Sequence, residues 1–111
     1  MALGLLSGKI GPDRVFNGDD LRQTNPRFSV ENREKIANFM KVIDPIAKEH
    51  NASLAQVVIA WTLTEPGITF ALCGARNAQQ AKENAQAGTI TLAADELATI
   101  HAAIDQHLLD F

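Results

Sequence analysis

One stretch of this chain, Ile68 to Cys73, reads as a complete β-strand, and that single strand constrains the fold more than any other feature. β-Branched Ile68 and Thr69 with Phe70 make a short apolar run, opened by the turn Glu65-Pro66-Gly67 and closed by Gly74. That is the pattern of a buried strand, with Cys73 as a small core residue. The opening stretch Ala2 to Lys9, ending in Ser7-Gly8-Lys9, reads as the tail of a strand entering a loop. Strand–helix alternation marks a parallel α/β fold, but one and a half strands do not make a sheet. The expectation is a single partial domain over residues 1–111, mostly helical with one to two short strands, completed by association or by a larger body.

The helices carry their own signals. From Glu31 onward Ile36, Phe39, Met40, Ile43 and Ala47 recur at three and four residues, one face of a helix. Pro45 predicts a kink or a fresh helical turn there, with Asp44 as its cap. Ser53 with Gln56 three residues on forms a capping-box pattern. It opens a helix whose Leu54, Val57, Val58, Ile59, Trp61 and Leu63 are apolar nearly all round, so burial on several sides is expected. Asn77 caps a helix running to about Ala87, stopped by Gly88. Leu92, Leu97, Ile100, Ile104 and Leu108 form the stripe of a last helix, and Leu92 to Asp95 offers no clear N-cap, which predicts a frayed start. Gly11 to Phe28 has loop composition without periodicity, and a loop of that length is usually functional or mobile.

Composition excludes several classes of function. With 46% hydrophobic and 21% charged residues a packed core is possible. A net charge of -3 with no basic run argues against a nucleic-acid partner. No apolar stretch reaches the roughly 20 residues of a membrane span, and the apolar opening lacks the basic flank of a signal peptide. The single Cys73 fits a reducing compartment, so a cytoplasmic location is expected. His50, His101 and His107 have no metal-ligand spacing and read as helix-surface residues; no metal and no catalytic residue is assigned. Trp61 and Phe39 read as core. The chain has no tyrosine.

The sharpest motif is Gly74-Ala75-Arg76-Asn77 followed by Gln80, Glu83 and Asn84. A strand would end and a helix begin at once, presenting free N–H groups and positive potential to an anion. Gly74 would let a ligand approach the backbone, and Arg76 is placed to fork onto a phosphate or stack on a base. Gln80, Glu83 and Asn84 share the stripe of Arg76, while Ala78, Ala81 and Ala85 form a small apolar face able to pack closely. On spacing alone a capped surface helix with a solvated polar face accounts for the same residues.

These residues resemble the cofactor signature of aldo-keto reductases, NADP-dependent (β/α)₈-barrel oxidoreductases. Other segments resemble that family in the same order. Gly4-Leu5-Leu6-Ser7-Gly8-Lys9 is similar to the segment after its seventh strand. Pro45 to His50 and Ala55 to Trp61 are similar to its seventh helix region, Pro66 to Thr69 to the entry of its eighth strand, and the helix after Leu92 to its C-terminal helix. The resemblance implies an α/β fold, the C-terminal part of a TIM barrel, whose phosphate sites lie after the last strands. It implies that Arg76 contacts the 2′-phosphate or adenine of NADP(H), with Gly74 beside it. Gln80, Glu83 and Asn84 would line the adenine and ribose pocket. Lys9 and the Leu3-Gly4 backbone would flank the pyrophosphate, with Arg14 near them. The family's catalytic Asp, Tyr, Lys and His come from earlier strands, so this chain by itself is expected to lack turnover. Three readings remain: part of a carbonyl reductase, a nucleotide-binding module without chemistry, or a self-associating structural piece. Association with a second copy, or with a chain supplying the rest of the barrel, is expected, and weak NADP(H) binding in isolation.

Overall fold

The computed structural model describes residues 2–108. Four α-helices carry it: α1 (Val30–Glu49), α2 (Leu54–Thr64), α3 (Ala78–Ala87) and α4 (Ala94–His107). Helix α1 packs on both α2 and α4, and α2 packs on α3. Their apolar faces enclose the core, in which Leu5, Ile43, Val57 and Ile100 are completely buried. The all-round apolar helix behaves as its pattern predicts, because α2 meets α1, α3 and the N-terminal segment together.

Local signals fix the helix ends. Ser29 Oγ accepts from the N–H of Asn32 and starts α1. At α2, Ser53 Oγ accepts from the N–H of Gln56 (3.1 Å), and Gln56 Oε1 accepts from the N–H of Ser53 (3.0 Å), the full reciprocal box. Asn77 Oδ1 accepts from the N–H of Gln80 at the start of α3. Helix α4 departs from expectation. Its start is fastened by Glu96, whose carboxylate accepts from the N–H of Ala93 (2.9 Å) and contacts His50 Nε2 at 2.8 Å. A residue inside the first turn thus replaces the absent cap side chain.

Helix α1 runs through Pro45 without a break. The proline is exposed and so is Lys41, whose carbonyl loses its N–H partner, so water can satisfy it. Asp44 is no cap; it pairs with Lys48 Nζ at 2.7 Å.

Neither predicted strand forms, and no β-strand occurs among the described residues. Ala2–Ser7 is an irregular 3₁₀ turn in which Leu3 (φ 57°) and Gly4 (φ 90°) reverse the chain. Gly8 (φ 76°) then passes so close to Leu54 that a Cβ would stand 2.9 Å from its Cδ1. Ile68 to Cys73 has no regular secondary structure and pairs with no strand among the described residues, and it is exposed rather than buried: Phe70 is 82% and Leu72 97% accessible. Cys73 is likewise exposed. An extended backbone becomes a strand only when a neighbour takes its N–H and C=O groups. The architecture is therefore helical, and it fits one part of a barrel rather than a closed sheet.

The loop of residues 11–28 is ordered by its aromatic residues. Phe16 and Phe28 are buried and meet edge to face, centroids 5.6 Å apart. Arg33 of α1, buried without a carboxylate, donates to three backbone carbonyls: Phe28 (2.9 Å), Gly11 (3.0 Å) and Arg14 (2.6 Å). It staples both ends of the loop to the helical body. Phe39 lies in the core as expected, and Trp61 packs against it while half-buried. No helix among the described residues is long and apolar enough to cross a membrane.

Candidate nucleotide-binding cleft

A cleft of about 700 Å³ opens where the N-terminal turn, the start of α2 and the segment leading into α3 converge. The turn contributes Leu3, Gly4 and Lys9, and the loop after it Arg14. The opposite wall holds Gly74 and Arg76, then Gln80, Glu83 and Asn84 from the first turns of α3. All nine residues that the sequence singled out thus face one space, although the first group ends at Arg14 and the second begins only at Gly74.

Hydrogen bonds organise the α3 wall. The N–H of Arg76 donates to Gln80 Oε1 at 2.7 Å. Asn84 Nδ2 donates to the carbonyl of Gly74 at 3.1 Å. These two bonds fold the 74–76 segment back over the helix it precedes. Gln56 fixes the wall to α2, since its Nε2 donates to the carbonyl of Glu83 (3.0 Å) while its Oε1 stays in the capping box. Apart from its immediate neighbours in the chain, no described residue comes within 4 Å of where a Cβ on Gly74 would stand, so the backbone there is open to a ligand.

The alanine face does not pack as expected. Ala78, Ala81 and Ala85 are exposed, and only Ala87 of α3 is buried. Helix α3 instead turns its polar stripe inward, because Gln56, Gly74 and Arg76 offer it hydrogen-bond partners there.

The cleft is cationic in a chain of net charge -3. Lys9, Arg14, Arg22 and Arg76 line it against one carboxylate, Glu83. The N-terminus of α3 adds the positive end of its dipole. Such a lining attracts a polyanion, and convergent arginines can fork onto phosphate oxygens. Sequence reasoning missed Arg22, Ser53 and the cleft-facing Cys73. Asp20 two residues before Arg22 was a usable signal; for Ser53 the capping role masked its second exposure.

Two of the three histidines carry partners, although His101 lies on the exposed surface of α4 as expected. His50 is paired with Glu96, and His101 Nε2 meets Glu65 Oε1 at 2.7 Å, so both tie α4 to the preceding helices. Hydrogen bonds from the Ala93 N–H and from His50 hold the Glu96 carboxyl below its usual range. No group of three or more His, Cys, Asp or Glu residues that could hold a metal occurs among the described residues.

A sequence model of the Aldo/keto reductase family matches residues 1–105. An aldo-keto reductase of Strobilurus tenacellus is 30% identical over 93% of this chain, which covers 31% of that protein. L-glyceraldehyde 3-phosphate reductase of Escherichia coli is 32% identical over 99% of the chain, which covers 32% of it. Among solved structures, a glycerol dehydrogenase from Gluconobacter oxydans superposes with a TM-score of 0.86 at 27% identity, over 99% of this chain and 33% of that one. The chain thus spans about a third of the length of the relatives it matches.

Proposed function

Because this chain belongs to the aldo/keto reductase family, we propose that its cleft is the part of an NADP(H) site that grips the adenosine-phosphate end of the cofactor. The observation that carries this reading is the convergence of Lys9, Arg14 and Arg76 with the polar face of α3 on one cleft. Its residues fit the group by chemistry: cations for phosphates, an open backbone at Gly74 and amides for ribose and adenine. Arg76 holds the 2′-phosphate. Gln80, Glu83 and Asn84 line the adenosine pocket, while Leu3, Gly4, Lys9 and Arg14 flank the pyrophosphate.

When bound, the nicotinamide supplies hydride for reduction of a carbonyl, and a protein must orient the substrate and donate a proton. This chain contributes binding and orientation of the cofactor. It has no tyrosine to act as a phenolic proton donor. The chain alone therefore binds without turnover and oxidises no NADPH in the presence of aldehydes.

Calorimetric titration with NADPH and NADH tests the reading. NADPH is expected to bind at least about tenfold more tightly than NADH, the size of one charge-assisted phosphate contact. Arg76→Ala should abolish that preference. Equal affinity for the two cofactors, or a preference that survives Arg76→Ala, would overturn it.

A second reading concerns assembly, favoured by the unpaired segment at 68–73. Its exposed Phe70 and Leu72 and its free backbone edge offer a template for another strand. The partner is a second copy or a chain that supplies neighbouring strands. Sedimentation equilibrium at micromolar concentration should then report a species heavier than 12.0 kDa, and a monomer of that mass would contradict it.

A further inference from the structure

Helix α3 carries one wall of the cleft, yet little apolar surface holds it in place. Only Ala87, in its last turn, is buried, and Phe70 and Leu72 of the segment before it stand in solvent. A surface helix is normally located by an apolar stripe pressed into a core. Ala87 fastens the far end of α3, whereas the cleft lies at the near end with Arg76, Gln80, Glu83 and Asn84. Polar bonds are left to set the position of that end. The bonds from the Arg76 N–H to Gln80 and from Asn84 to the Gly74 carbonyl are internal to the wall and cannot place it against the body. Gln56 of α2 does. Its Nε2 donates to the carbonyl of Glu83 at 3.0 Å, among the described residues the one side-chain hydrogen bond that joins this wall to another helix.

Both ends of this side-chain amide are committed. Its Oε1 accepts from the N–H of Ser53 at 3.0 Å, inside the capping box of α2, which leaves the amino group to α3. The box itself needs only an acceptor at this position, and a glutamate supplies one equally well. The Glu83 carbonyl does not need the bond either. Glu83 is not among the last four residues of α3, so its carbonyl has a partner within the helix. The contact therefore rescues no orphan group, and what it adds is a tie between two helices. Ser53 and Ala55 of the same turn line the cleft, while Gln56 stands behind them, half-buried and outside the lining.

We propose that Gln56 is the positioning residue of the cleft: by tying the Glu83 carbonyl to the cap of α2, it holds the α3 wall in register with the N-terminal turn, so that a ligand meets both walls at once. This rests on the reading of the cleft as an NADP(H) site. Gln56 touches no ligand. It acts through the fraction of molecules whose walls are in register, and the apparent affinity of a ligand falls with that fraction. The effect belongs to the adenosine-phosphate end, because Arg76, Gln80, Glu83 and Asn84 all stand on the wall that the tie holds.

The test uses two probes, NADPH and adenosine 2′-monophosphate, with calorimetry for affinity and amide hydrogen exchange for the wall. Gln56→Glu keeps an acceptor for the Ser53 N–H and loses the donor to Glu83, while Gln56→Met is neutral and loses both bonds. Both variants should weaken both probes alike, by about three- to tenfold, the size of one hydrogen bond. Exchange should quicken within residues 78–87, with α1 and α4 as protected as before. A loss in only one variant overturns the proposal, since added charge or the broken capping box then accounts for it. A loss for NADPH that adenosine 2′-monophosphate does not share also overturns it, because the α3 wall is then not what moved. Faster exchange throughout α1 and α4 overturns it in favour of a general role in stability. Unchanged affinity in both variants overturns it while leaving the cofactor reading intact. Failure of the unaltered protein to bind either probe removes the cofactor reading itself, and this proposal with it.

Discussion

The α1–α2–α4 body and the stretch from Ile68 to Cys73 are both rich in apolar residues, yet they dispose of them in opposite ways. In the body Ile43, Val57 and Ile100 are at most 2% accessible, whereas Phe70 and Leu72 stand almost wholly in solvent. A helix satisfies its own backbone and needs only an apolar face opposite; α1, α2 and α4 give one another that face. A strand needs partners for its backbone as well as its side chains, and the described residues supply none for 68–73. Burial here follows from who is within reach, not from hydrophobicity. The cleft lies between the two regimes: its α3 wall follows the 68–73 segment in the chain yet is fastened to the body through Gln56, and its other wall is the N-terminal turn packed on α1 and α2.

The contrast is broken most forcefully by truncating one residue on each side. Ile43→Ala should cost about 2–5 kcal/mol by leaving a cavity in a close-packed core. Leu72→Ala should stay within about 0.5 kcal/mol, having no buried contact to lose. Urea denaturation followed by circular dichroism measures both. A costly Leu72→Ala would show that the segment is covered in solution and would support association.

A smaller effect is expected at the seam between body and loop. Arg33→Met keeps the volume and removes every donor to Phe28, Gly11 and Arg14 carbonyls. The loss should be about 1–3 kcal/mol, with faster proteolysis confined to residues 11–28. Unchanged cleavage there would mean that Phe16 and Phe28 hold the loop without it.

The smallest effect is the response of α4 to acid. Glu96 is held below its ordinary pKa first by the Ala93 N–H and then by His50. A carboxyl with a depressed folded-state pKa stabilises the fold above its unfolded value and loses that contribution as pH falls through the lower one. Stability should therefore decline below about pH 4.3, the ordinary glutamate value. Glu96→Gln should decline less steeply over that range, and identical profiles would place the acid sensitivity elsewhere.

Much of the helical body is legible in the sequence because its signals are local. Ser53 with Gln56, and Asn77 with Gln80, act within one turn, and the stripes of α1 and α4 need only the helical period. The strand at 68–73 is not legible in the same way, because strand formation depends on a neighbour far away in sequence. The start of α4 is missed because its cap comes from inside the helix, and the unbroken α1 because solvent exposure at Pro45 makes the lost bond cheap. The cleft is legible through family resemblance rather than spacing, since spacing left α3 equally readable as a solvated surface helix. Arg22 is missed because the sequence shows its nearness to Asp20 but not that its side chain lies over the Phe16 ring and faces the cleft.

The central claim is that the cleft, and not another face of the body, receives the cofactor. Amide chemical shifts recorded with and without NADPH test it most directly. The account predicts perturbations concentrated at Leu3 to Lys9, Arg14, Arg22 and Gly74 to Asn84, with the core of α1 and α4 silent. Perturbations centred on the outer faces of α1 and α4, or none at saturating NADPH, would contradict it.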